Sequence, residues 1–449
     1  MAALMTTAPR GQGGATGTAA GRPSVTRSVR VTIGLASAGV LACLAAGLGA
    51  CGGSGPTQAG DTGTTVATGS TTTVPANVTT TPVVATTASS PTTLPAAGGP
   101  VPAGFDPVSF TAISDSDYWL LGDAPCNNPV CTSIVRTTDG GAHFVGLPAP
   151  TAPLDIGKTT SGINTLRFAD AMDGYAYAIG AGGAFWDTHD GGGQWSQPPA
   201  LSGKQLLGFG TGAGYALALT GACSQQSGSC SGLALVRSPV TTDHWSALGL
   251  PLSSASGPVS FSVRGPDLWL SIAAPSDEGH QSLLVSSSSG SSFTSVSSPC
   301  FAGFGGQLQA TSAEVVWALC PTGMMAEALR STDGGATWHN LSSGSSSAAA
   351  EFENSALLAP ANDTTALLGP ASQGKLLRTT DGGVTWQDVS TPATGYWSWM
   401  GFTDPSTGSA LLQLSSVPAG WPWPNGPFPE QLWRTSDGGS TWSGPVAFS

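Results

Sequence analysis

Side chains able to do chemistry are scarce in this sequence, and most of them recur. Only 9% of the 449 residues are charged, with 14 Lys and Arg against 26 Asp and Glu. A nine-residue pattern with an acid at its fourth position and an aromatic at its end appears five times. The copies are RTTDGGAHF from Arg136, DTHDGGGQW from Asp187, RSTDGGATW from Arg330, RTTDGGVTW from Arg378 and RTSDGGSTW from Arg434. A pair of such carboxylates could serve as acid and base in hydrolysis. Five equivalent copies of Asp139, Asp190, Asp333, Asp381 and Asp437 cannot all be one active site, so a structural role is expected. A carboxylate there can accept the N–H groups of a tight turn. The glycine pair that follows, such as Gly140-Gly141, supplies the positive φ angles.

The other reactive groups form no catalytic set. His143, His189, His244 and His339 fall on the repeated pattern or its edge, and His280 alone stands apart, so no Ser-His-Asp arrangement is expected. Asp155, Asp170, Asp173, Asp277, Glu278, Glu351, Glu353 and Glu430 lie outside the pattern, and nothing in their spacing singles out a pair. Cys126, Cys131, Cys223, Cys230, Cys300 and Cys320 match no zinc spacing. An even number of cysteines in an exported chain predicts disulfides: Cys126 with Cys131 and Cys223 with Cys230 stapling loops, and Cys300 with Cys320 joining one repeat to the next. No metal and no cofactor is expected.

These residues must be placed by a repeat. Two worn copies, RSPVTTDHW from Arg237 and VSSSSGSSF from Val285, complete a series with intervals of 51, 50, 48, 45, 48 and 56 residues. A β-rich segment with a central turn precedes each copy, as in FTAISDSDYWLLG from Phe110 and FADAMDGYAYAIG from Phe168. A seven-fold period near 48 residues with about four short strands is one propeller blade per repeat. The expected fold is therefore all-β, a seven-bladed β-propeller over residues 101–449. The ending GPVAFS, from Gly444, echoes DPVSFT at Asp106 and predicts a C-terminal strand beside the first blade.

The repeated pattern resembles the Asp-box, or BNR repeat, of the superfamily that holds sialidase-type propellers and Ycf48-like photosystem assembly factors. That resemblance implies turns on the outer part of each blade, away from the axial channel. It also raises two enzyme readings. A sialidase clamps its substrate with three arginines. Five of the seven arginines after Cys51 open a box or its worn copy, which leaves Arg167 and Arg264. Tyr175, Tyr177 and Tyr215 fall in apolar strands, where packing is the expected role. A xyloglucanase-type glycoside hydrolase uses two such propellers facing a cleft, and this chain has one.

The first hundred residues are of another kind. Residues 1–30 hold four Arg and no acid, and Val31–Ala50 is a continuous apolar run that ends in small residues. This reads as a signal peptide over 1–50. The junction Leu48-Gly49-Ala50-Cys51 resembles the lipobox of bacterial lipoproteins, which implies a diacylated Cys51 as the new N-terminus. Lipid on Cys51 would hold the protein on the outer face of the cell membrane, extracytoplasmic, with the bilayer as its first partner. Residues 51–100 are mostly Thr, Ser, Gly, Ala, Pro and Val without an aromatic, a disordered stalk. As a coil they span roughly 40 Å, and as polyproline II roughly 150 Å.

After Cys51 the chain carries ten basic and 26 acidic residues, which repels phosphate backbones and disfavours nucleic acid. The last repeat holds WPWPNGPFPEQLW, from Trp421, an insertion that accounts for the longest interval. Trp421, Trp423 and Phe428 on a proline-stiffened loop offer aromatic surface to a protein, a peptide or a sugar. The expected function is binding or scaffolding of an envelope protein or glycan, without catalysis; the alternative is a glycosidase.

Overall fold

A computed structural model describes residues 96–448 apart from intervals at 127–129, 156–160, 181–182, 225–228, 274–279, 302–304, 324, 342–351, 354–355, 370–375, 392–394 and 416–428. Cys51, the signal segment and the stalk up to 95 lie outside the described residues, as do Trp421, Trp423 and Phe428. Among the described residues there is no helix.

Seven antiparallel sheets follow one another along the chain. Blade 1 contains β1 (Asp106–Ala112), β2 (Tyr118–Pro125), β3 (Val130–Thr137) and β4 (Val145–Leu147). Blade 2 contains β5 (Thr165–Phe168), β6 (Gly174–Tyr177) and β7 (Phe185–Thr188). Blade 3 contains β8 (Gln205–Gly212), β9 (Tyr215–Cys223), β10 (Cys230–Pro239), β11 (Ser246–Leu248) and a short β12 (Ser254–Ala255). Blade 4 contains β13 (Val259–Arg264), β14 (Asp267–Ile272), β15 (His280–Ser286) and β16 (Thr294–Phe301). Blade 5 contains β17 (Gln307–Ala310), β18 (Val316–Pro321), β19 (Met325–Ser331), β20 (His339–Asn340) and β21 (Phe352–Glu353). Blade 6 contains β22 (Leu357–Pro360), β23 (Ala366–Gly369), β24 (Leu376–Thr379) and β25 (Gln387–Val389). Blade 7 contains β26 (Gly395–Phe402), β27 (Gly408–Leu414) and β28 (Glu430–Thr435). The protein is a seven-bladed β-propeller.

The apolar runs inside each blade are explained by what covers them. Every residue of β2 except Pro125 is buried, and β6 and β23 are buried throughout. Each sheet packs both its faces, so the cores lie between blades rather than inside them. One apolar cluster joins blades 1 and 2 around Trp119 and Phe168, whose rings stack at 4.0 Å. Six more join the following pairs, the last holding Phe110 and Tyr118 of blade 1 against Trp399 and Leu411 of blade 7. Trp119, Trp269 and Trp317 occupy equivalent places opposite the first box residue and are fully buried. Truncating a buried Trp of this kind to Ala costs about 3–5 kcal/mol.

The C-terminal segment closes the ring differently from expectation. Ser443 bridges Arg434, and the Val446 amide donates to Leu432 O, so the segment is the outer edge of blade 7 and not a strand of blade 1. It touches blade 1 through Phe448, whose ring lies 5.2 Å from both Phe105 and Phe144. The outer edge of blade 1 is met instead from the N-terminal side, where Gly99 and Gly146 form an isolated bridge with backbone bonds of 2.8 Å. Trp397 and Trp399 are both buried but on opposite faces of the sheet, whereas residues two apart share one face of a regular strand. A bulge between them sends Trp397 to the blade 6–7 seam and Trp399 to the blade 7–1 seam.

Candidate functional site

The five intact boxes form the turns between the third strand of a blade and its outer edge. Thr137 Oγ1 donates to Asp139 Oδ1 at 2.8 Å, and that same oxygen accepts the His143 amide at 2.9 Å. The pattern repeats at Asp190, Asp333, Asp381 and Asp437, each with a Thr or Ser hydroxyl two residues before it and an amide four residues after it. The amide bond from His143, with its ring and the Thr137 hydroxyl, holds Asp139 well below the usual carboxylate range. Such an acid is a fixed acceptor, not a proton donor at neutral pH. In worn blade 4, Ser288 takes the place of the acid and accepts the Ser292 amide at 3.1 Å.

The first box residue reaches across to the next blade. Arg237 Nη1 donates to Ser289 O at 3.1 Å, Arg378 Nε to Gly438 O at 2.7 Å, and Arg434 Nη1 to Gly140 O at 3.0 Å. Blade 4 has Val285 at this place, and Trp269 Nε1 makes the crossing bond to Gly334 O at 2.8 Å. Arg136 turns instead to Asp117 of its own blade, at 2.8 Å.

The three disulfides lie at the opposite, loop-bearing ends of the blades. Cys126–Cys131 and Cys223–Cys230 close the loops between second and third strands, and Cys300–Cys320 ties β16 of blade 4 to β18 of blade 5.

A concavity of about 450 Å³ sits among the inner turns of blades 4 to 7, lined by Arg264, Asn362, Asp363, Phe402, Thr403 and Asp404 among others. The Arg264 side chain is exposed and bonds to no described residue. Both carboxylates are occupied. Asp363 Oδ1 accepts Thr311 Oγ1 at 2.6 Å. Partial burial pushes Asp404 up, but the Ser406 hydroxyl and amide, with Asp115, outweigh it and keep the carboxyl ionised. Arg167 lines a smaller pocket with Phe209 and Phe261, where its Nε donates to Thr211 Oγ1 at 2.8 Å. The two free arginines thus serve different cavities, so no three-arginine clamp is assembled. Tyr175 and Tyr177 are buried in the blade 2–3 seam, and Tyr175 Oη donates to Val240 O at 3.2 Å.

Carboxyls with raised pKa values lie elsewhere. Burial, aided by the charge of Asp123, pushes Asp106 up to about 7, against a bond from the Glu430 amide to its Oδ1 at 2.8 Å. Burial takes Asp123 to about 6. It takes Glu430 to about 8, against a 2.6 Å bond from Ser398 Oγ and helped by Asp106. This trio sits at the seam of blades 1 and 7 and does not line the 450 Å³ concavity. Glu430 also opens β28 directly after the aromatic insertion, whose ends are held by a 2.9 Å bond from the Leu414 amide to Pro429 O.

Sequence reasoning missed two further features. Asp170 and Asp173 are not free acids: Asp170 Oδ1 accepts the amides of Met172 and Asp173, and Asp173 Oδ1 lies 2.6 Å from His189 Nδ1. Beside them, Asp187, His189 and Asp243 present three ligand atoms within 4.8 Å of one another, although no metal is expected from the sequence. His189 and Asp243 come from different repeats, and Asp243 lies in a worn one, so spacing gave no signal.

No family model matches the chain, and no curated protein matches it. Solved structures do. A prolyl endopeptidase is similar over 73% of this chain and 48% of its own, at 12% identity and a TM-score of 0.50. Ycf48 bound to a D1 peptide is similar over 70% of this chain and 93% of its own, at 18% identity and a TM-score of 0.45. The GH74 enzyme of Niastella koreensis is similar over 75% and 71%, at 11% identity and a TM-score of 0.29. At these identities the likeness is one of fold alone.

Proposed function

We propose that this chain is a lipid-anchored, extracytoplasmic propeller that binds a protein or glycan of the cell envelope and performs no catalysis. One observation carries the reading. The concavity among the inner turns offers a cation, Arg264, and two carboxylates already spent as hydrogen-bond acceptors, while the acids raised to near neutrality, Asp106, Asp123, Asp187 and Glu430, are packed into blade seams. Such a surface can hold a ligand but has no acid and base poised on it. The aromatic residues Trp421, Trp423 and Phe428 belong to the same reading as anchors of the partner, and the Leu48–Cys51 junction as the means of tethering.

A glycosidase remains the second reading because Asp106 and Glu430 are paired and raised, as a hydrolase acid must be. The test is cross-linking of the full-length chain in intact cells of its host. Wild type should capture a discrete partner that Trp421→Ala with Trp423→Ala releases, and Cys51→Ser should move the protein out of the membrane fraction. Hydrolysis of xyloglucan or a sialoside by the purified protein, abolished in Asp106→Asn, would sink the binding reading.

A further inference from the structure

The blade 2–3 seam differs from its counterparts in one residue with large electrostatic consequence. Five repeats carry Arg at the first box place and one carries Val, but blade 2 carries Asp187. Where Arg237, Arg378 and Arg434 reach a neighbouring backbone carbonyl, Asp187 meets Asp243 of the next blade. Asp187 is completely buried. Its Oδ1 accepts Ser196 Oγ at 2.7 Å, and its Oδ2, beside the Asp243 carboxyl, meets no N–H or O–H donor among the described residues. A buried carboxylate oxygen left bare beside a second carboxylate is costly unless a cation or a proton lies between them.

The third member of the cluster decides between them. His189 Nε2 is also sequestered and has no hydrogen-bond partner; it faces Asp243 Oδ1 at 3.7 Å, within ion-pair range but too long for a hydrogen bond. That spacing is close to the roughly 3.3 Å separating two ligands of a tetrahedral zinc ion with bonds near 2.05 Å. The other ring nitrogen, Nδ1, is held by Asp173 at 2.6 Å. A carboxylate behind a histidine is the arrangement that orients a metal-bound imidazole, leaving Nε2 to face the ion. The competing arrangement, a proton shared by the two carboxylates with an imidazolium facing Asp243 across 3.7 Å, leaves Nε2 without a hydrogen-bond acceptor in reach.

We propose that Asp187 Oδ2, His189 Nε2 and Asp243 Oδ1 bind a first-row divalent cation of the zinc type, which takes the place of the arginine latch between blades 2 and 3. One imidazole nitrogen among three donors favours such an ion over magnesium or calcium. Asp243 is part-exposed, with 37% of its side chain accessible, so solvent can fill a fourth position. The site joins two blades and so acts as a cross-link of the ring.

The test uses the purified full chain, stripped with a chelator, and zinc chloride as the probe. Equilibrium dialysis with elemental analysis should find one zinc per chain at micromolar free metal, and thermal unfolding should shift upward with zinc. Asp243→Asn and His189→Gln should each weaken binding at least tenfold, whereas His244→Gln, beside the cluster, should not. Asp187→Arg, which installs the residue of the other repeats, should lose zinc while keeping the melting temperature of the zinc-loaded wild type within a few degrees. Cobalt substitution should give visible absorption that disappears in Asp243→Asn. Lack of stoichiometric zinc in the wild type, or its retention in Asp243→Asn with unchanged circular dichroism, would overturn the proposal.

Discussion

Replacing Asp106 by Asn separates the cost of a buried charge from the value of the bond it makes. Asn keeps an oxygen that can accept the Glu430 amide, but it cannot ionise. In the unfolded chain Asp106 titrates near 3.8, and in the folded ring near 7. Its folded pKa is raised, so between those values the native state holds a proton that the unfolded state has released. Stability therefore falls as pH rises from about 4 to 7. The difference amounts to roughly 4 kcal/mol once the group is fully ionised. Relaxation around a buried charge lowers such costs, so about 2–4 kcal/mol is the expected gain for Asp106→Asn at pH 8. For a ring of about 350 residues that is about 3–5 °C in melting temperature. At pH 4 the folded group is neutral and the unfolded one roughly half ionised, a difference of only about 0.6 kcal/mol, so the variant should melt within about 2 °C of the wild type. Asp123 and Glu430 keep a residual slope in the variant, shallower than that of the wild type. Calorimetric scans of both proteins from pH 4 to 8 provide the measurement. An equal shift at both pH values, or a loss at pH 8, would refute the assignment of a penalty to the buried carboxyl.

Three further outcomes are expected. Asp381→Ala removes the acceptor of the Thr385 amide and of two hydroxyls, and urea titration should show a loss of about 1–2 kcal/mol with an unchanged m-value. Gly439→Ala should cost more, about 2–3 kcal/mol, because the residue holds φ 84° and a Cβ there would stand 2.6 Å from Leu367 Cδ1; a loss below that of Asp381→Ala would contradict the geometry. Replacing both Cys300 and Cys320 by Ala opens a loop with a sequence separation of 20 and should lower stability by about 3 kcal/mol, read by denaturant titration against the oxidised wild type.

The repeat count was legible because each box needs the same residues locally: an acid, a hydroxyl two places earlier and glycines at positive φ. Those needs are met within nine residues, so they survive in the sequence as a visible pattern. The worn boxes show its limit, since Ser288 does the work of an acid without resembling one. Features built across the ring leave no such trace. The Glu430 amide and Asp106 are bonded at a separation of 324 residues, and nothing near either of them marks the pairing. Asp187 was visible as an exception to the arginine rule, but the residue it faces, Asp243, sits in a copy that has lost its acid and its glycines. The bulge at Ser398 was hidden for another reason: one added residue turns a strand over, and sequence alternation assumes that none is added. The apolar content of the strands was clear. That it seals the seams, rather than filling each sheet, follows only from the circular arrangement.

Because the C-terminal segment finishes its own blade and lends blade 1 no strand, every spoke of this wheel is an uninterrupted length of chain. The first and last blades then meet at a joint built, like most of the others, from an apolar seam and an arginine latch, secured by side chains such as Arg434 and Phe448. Moving the termini to another rim loop, with a short tether across the old joint, should leave a wheel of the same shape. Deleting a single spoke is a different operation, since it bares two oily faces that were cut to fit a neighbour no longer there.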